Sequence, residues 1–152
     1  MYQNLNAYDQ AEAAYEQALE IYQRLAKDNP QRFEPDVANT QNNLGTIYYN
    51  LNAYDQAEAA YREALEIYQR LARDNPQRFE SYVANTQNNL GVLYRNLNAY
   101  DQAEAAYREA LETYQRLAKD NPQRFEPDVA NTQNNLGLMI YSKGNLKRPR
   151  PI

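Results

Sequence analysis

The 152-residue chain contains no cysteine, no histidine and no tryptophan. Without cysteine there are no disulfides, and without cysteine and histidine most zinc sites lose their ligands. The usual nucleophile–base pairs go with them. A catalytic site would have to draw on lysines, carboxylates and hydroxyls, and the only serines are Ser81 and Ser142. With four glycines in all, no glycine-rich phosphate loop can be assembled. An enzyme, a metal and a cofactor are therefore not expected. Apolar runs of membrane-spanning length are also missing, and Met1-Tyr2-Gln3-Asn4 lacks the charge-then-apolar order of a signal peptide. The expected compartment is the cytoplasm. Sixteen basic residues face twenty acidic ones, a net charge of −4, and the only basic cluster lies in the last few residues. Nucleic acid, which selects a basic stripe, is not an expected partner.

What the chain has is repetition. Leu5-Asn6-Ala7-Tyr8-Asp9-Gln10-Ala11-Glu12 returns at Leu51 and at Leu97, a period of 46 residues. This gives three units, 5–50, 51–96 and 97–142, as one repeat array over 1–142, followed by a basic, proline-containing tail, 143–152. The first two units differ only at Glu16/Arg62, Gln17/Glu63, Lys27/Arg73, Pro35/Ser81, Asp36/Tyr82, Thr46/Val92, Ile47/Leu93 and Tyr49/Arg95. Recent duplication and consensus design both produce such similarity.

Each unit holds two helices. Tyr54, Ala57, Tyr61, Ala64, Leu65, Tyr68, Leu71 and Ala72 fall at steps of three or four and form one buried stripe, helix B. Its outer face pairs Glu58 with Arg62 and Glu66 with Arg70, acid first. Asp74-Asn75-Pro76 ends it. Helix A is expected from Pro35 to Asn50, with Val37, Leu44, Ile47, Tyr48 and Leu51 inward. Residues Asn29 to Glu34 read as a tight connector, with Phe33 plugging the helix ends. The short link Leu51-Asn52-Ala53 makes A and B antiparallel neighbours. Glycine inside a helix costs about 1 kcal/mol against alanine, so Gly45, Gly91 and Gly137 suggest close helix contact. Single hairpins cannot bury their apolar faces, so stacking must supply the core.

Leu44-Gly45, Tyr48, Ala57, Tyr61, Ala64 and Pro76 recur as Leu90-Gly91, Tyr94, Ala103, Tyr107, Ala110 and Pro122. In order, and in spacing up to the last alanine, this pattern resembles the tetratricopeptide repeat family. The family's usual period is about 34 residues. The surplus here lies in a longer helix B and a longer connector. That lengthening, with Thr40-Gln41-Asn42-Asn43-Leu44-Gly45, is similar to the kinesin-light-chain type. The resemblance implies an all-α, right-handed superhelical solenoid of antiparallel helix pairs, here in the order B-A-B-A-B-A. It also implies a concave groove, lined by A helices, that binds a peptide or protein ligand.

Beside its apolar stripe, helix A carries a second one: Asn39, Asn42, Asn43, Thr46, Tyr49 and Asn50. The next unit gives Asn85, Asn88, Asn89, Val92, Arg95 and Asn96, and the last Asn131, Asn134, Asn135, Leu138, Tyr141 and Ser142. Asparagine is an indifferent helix former, and its amide both donates and accepts. A ladder of amides can satisfy an extended peptide backbone, as groove asparagines do in the resembling family. The alternative is that some amides bond between adjacent helices. Family members that clamp a C-terminal carboxylate of chaperones use lysines and arginines on helix A. Arg95 is the only basic residue on this stripe, which argues against that subtype.

The ends pose a separate question. The first B has no A before it, and the last A, expected to end near Tyr141 before Gly144 and the prolines, has no B after it. Leu136, Met139 and Ile140 are expected on its open side. Two readings stay open: a peptide-binding module, and a structural unit that self-associates as a homo-oligomer through its unpaired terminal helices.

Overall fold

In the computed structural model, which describes residues 2–147, the helices are α1 (Tyr2–Asp28), α2 (Pro30–Asn50), α3 (Tyr54–Asp74), α4 (Pro76–Asn96), α5 (Tyr100–Asp120) and α6 (Pro122–Lys147). No strand occurs among the described residues. The expected all-α order, B-A-B-A-B-A, is what is found, and within each compact unit consecutive helices pack against each other, α1 on α2 and α2 on α3 in one, α4 on α5 and α5 on α6 in the other. The chain divides between Glu80 and Ser81, inside α4, into two compact units.

The joints are tighter than expected. Helix A begins at Pro30, not Pro35, so the anticipated connector is already helical and Pro35 lies inside α2. One residue, Asn75, closes α3 and opens α4. Its backbone N–H donates to the Leu71 carbonyl at 2.9 Å, and its side chain accepts from the Arg78 N–H at 3.3 Å. Asn29 and Asn121 do the same at their joints. Proline follows each asparagine at the first helical position, where its missing N–H costs nothing. The reading of Phe33 as a plug holds better for its equivalents: Phe79 and Phe125 are buried, each under the guanidinium of the preceding arginine at 4.7 Å.

The A-to-B link is a Schellman turn. Asn52, at φ 62°, donates its N–H to the Tyr49 carbonyl, while the Ala53 N–H donates to that of Tyr48. Asn98, at φ 60°, repeats it with Arg95 and Tyr94. The asparagines also accept from the following tyrosine hydroxyls, Tyr54 and Tyr100, at 2.9 and 3.0 Å.

In the first unit the core is Val37, Ala38, Leu44, Ala57, Ala60, Tyr61, Ala64, Ile67 and Tyr68. Ala60 and Ile67 lie off the stripe expected for helix B. In the second unit Ala84, Ala110, Tyr114 and Phe125 pack together against Leu117, Ala118 and Val129. The glycine expectation divides. A Cβ on Gly45 would sit 2.6 Å from the Tyr61 ring, and one on Gly91 2.6 Å from that of Tyr107, whereas one on Gly137 would meet nothing within 4 Å. On the outer face Arg62 pairs with Glu58, but Arg70 binds Glu34 of α2 instead of Glu66.

Both terminal helices overrun their expected ends. Leu5-Asn6-Ala7 continue α1, where Leu51-Asn52-Ala53 make a turn. Helix α6 runs through Gly144 to Lys147. Lys143, expected in the tail, is thus helical and donates to Asp101 of α5 at 2.6 Å. Residues 148–152 lie outside the described residues.

Candidate peptide-binding surface

The pairing of A with the next B turns the asparagine stripe away from the core. In the first unit Gln41 of α2 donates to Glu63 of α3 at 2.8 Å, and Gly45 seats Tyr61. In the second, Gln87 donates to Glu109 at 3.1 Å and Gly91 seats Tyr107. These contacts define the covered side of α2 and α4. None of the sixteen stripe positions from Asn39 to Leu138 is buried. Asn39, Asn43, Thr46, Asn50, Asn85, Asn96, Asn131, Asn134 and Leu138 are exposed, and Asn42, Tyr49, Asn88, Asn89, Val92, Arg95 and Asn135 half-exposed.

Several stripe residues have partners within their own unit. Asn39 accepts from the Tyr68 hydroxyl of α3. Thr46 shares a 2.9 Å hydrogen bond with the Tyr61 hydroxyl. Tyr49 packs edge-on against Tyr54 with ring centroids 5.9 Å apart. In the second unit Asn135 of α6 donates to Asn88 of α4 at 3.4 Å. That is the helix-to-helix amide contact weighed in the sequence, and it links successive A helices. Asn85, Asn131 and Asn134 flank it with exposed amides.

On the opposite side of α2, the Tyr48 hydroxyl donates to Glu16 of α1 at 2.8 Å. Burial, with the Glu16 carboxylate beside it, pushes this hydroxyl from 10.0 up to about 12. Burial likewise raises Tyr61 and Tyr114. Among the described residues no group of three or more carboxylates is placed to hold a metal ion, and no helix is long and apolar enough to cross a membrane.

The open side of α6 differs from its expected composition. Of Leu136, Met139 and Ile140, the first two are 8% and 0% exposed and belong to the core; Ile140 is 44% exposed. Leu136 and Met139 are the equivalents of Leu90 and Leu93, both buried, so the repeat itself carried the signal. The residues left open are those that α2 and α4 use to seat a B helix.

One family model of the tetratricopeptide repeat matches residues 1–70 and 36–116, and a second matches residues 88–148. The chain belongs to the tetratricopeptide repeat family. Tetratricopeptide repeats generally mediate protein–protein interaction. Among solved structures, the chain is similar to the crystal structure of BtubC (BKLC) from P. vanneervenii, with a TM-score of 0.72 and 30% identity. The match covers 99% of this chain and 63% of that one. Comparison with curated proteins gives no match.

Proposed function

We propose that this tetratricopeptide array is a cytoplasmic interaction scaffold whose A helices bind an extended peptide through their asparagines. One observation carries the reading: in the second unit Asn85 of α4 and Asn131 and Asn134 of α6 are exposed within a turn of the Asn88–Asn135 bond. One amide pair links the two helices, while the neighbouring exposed amides keep donors and acceptors for a backbone. Such contacts recognise extended main chain with little demand on side-chain identity. A peptide selected from a random library against the whole chain provides the probe. Titration calorimetry of the Asn85→Ala/Asn131→Ala/Asn134→Ala variant should show affinity falling by at least tenfold at unchanged melting temperature, since each lost contact costs about 0.5–1.5 kcal/mol. Unchanged affinity would reject the asparagine face as the site.

A second reading, association of copies through the terminal helices, draws on a different observation. The side of α6 that matches the seats on α2 and α4 is uncovered among the described residues.

A further inference from the structure

We infer that a second copy of this chain docks its α1 on the open side of α6, in the register by which α3 docks on α2. This inference rests on the second reading above and gives it a geometry.

The seat on α2 is a row, Glu34, Ala38, Gln41 and Gly45, spaced four, three and four apart on one helical face. Glu34 takes Arg70, Gln41 donates to Glu63, and Gly45 receives the Tyr61 ring; all four residues are buried or half-buried. The same row on α6 is Glu126, Ala130, Gln133 and Gly137, identical in type and exposed throughout. Glu126, Ala130 and Gln133 line an open trough. Gly137 has nothing within 4 Å of the position its Cβ would take.

The matching plug is present at the other end of the chain. On α3, Ala60, Glu63, Ile67 and Arg70 share the face from which Glu63 and Arg70 reach α2, with Ala60 and Ile67 buried. Their equivalents on α1 are Ala14, Gln17, Ile21 and Arg24, and all four are exposed, Ile21 at 48% against 9% for Ile67. From Tyr8 to Asp28, α1 differs from α3 only at Glu16, Gln17 and Lys27. Plug and seat therefore carry the chemistry that already pairs inside the chain, except that Gln17 stands where α3 has the Glu63 acceptor. Transferring that register sets Arg24 against the partner's Glu126, Gln17 against the partner's Gln133, and Tyr15 over the partner's Gly137.

The test uses the whole chain in sedimentation velocity from low to high micromolar concentration. Wild type should associate, and Gly137→Leu should raise the dissociation constant at least tenfold. Because a side chain at 137 enters open space in the isolated chain, that variant should melt at the wild-type temperature or above when both are dilute enough to be monomeric. Gln17→Glu, which restores the acceptor found at Glu63 and Glu109, should tighten association a few-fold. The chain has no cysteine, so an equal mixture of Gln17→Cys and Gln133→Cys chains reports register directly by forming a mixed disulfide under mild oxidation. Association that ignores Gly137→Leu, or that yields only Gln133→Cys homodimers, overturns the register while leaving self-association standing. A monomer at every concentration overturns both.

Discussion

At the scale of single residues, three equivalent glycines separate packing from inheritance. Gly45 and Gly91 are required because a tyrosine ring occupies the space a Cβ would take. Gly137 meets no such ring. Replacing Gly91 by leucine gains about 1 kcal/mol of helix propensity and forces a buried ring aside, which costs about 1–3 kcal/mol, more where neither helix can retreat. The expected net effect is a fall of several degrees in melting temperature, read by circular dichroism; an unchanged midpoint would mean that the pair tolerates separation. The same substitution at 137 should leave the midpoint level or raised. Sequence alone grouped the three, since a repeat copies a residue whether or not its partner is present. It likewise placed Leu136 and Met139 outside, because a local cluster of apolar residues hid their equivalence to Leu90 and Leu93. Asn39 was legible as exposed, but not as the acceptor of the Tyr68 hydroxyl, a contact 29 positions away in the chain.

At the scale of elements, periodicity identified all six helices, and the three-residue turn was read directly from Leu51-Asn52-Ala53. The start of helix A was misplaced by five residues. Proline marks a first turn well, and the first and last repeats each offer two candidates, Pro30 and Pro35, and Pro122 and Pro127; the one after the asparagine cap governs, and Pro35 and Pro127 are accommodated within α2 and α6. The turn asparagines deserve separate variants. A β-branched residue in the left-handed conformation of Asn98 should cost about 1–2 kcal/mol, and Asn98→Val additionally removes the acceptor of the Tyr100 hydroxyl. Asn98→Gly relieves the backbone and loses only that exposed bond, so it should stay within about 0.5 kcal/mol of wild type. Urea unfolding of the pair distinguishes them, and equal midpoints would show that the turn's backbone conformation contributes little.

At the scale of the whole molecule, tyrosines stand where other cores use aliphatic side chains, and this sets an alkaline limit. Tyr48, Tyr61 and Tyr114 all hold their protons above the ordinary value of 10.0, chiefly through burial, with Tyr48 reaching about 12. A group held above its unfolded value contributes stability that is complete below pH 10 and is lost as pH rises toward 12. Stability should therefore fall steeply across that window, with a late rise in tyrosinate absorbance that coincides with loss of helical circular dichroism. Tyrosinate appearing fully before the helices melt would contradict this. A different consequence follows from the near-identity of the helix pairs. Any B helix carries a code that any A helix can read, so side chains do not by themselves decide which two meet. The tether does: three residues of turn hold the correct partner at a local concentration that a distant copy cannot match. Recombination that adds or deletes one whole 46-residue module would leave every joint chemically unchanged, making the array free to vary in number while each link keeps its fidelity.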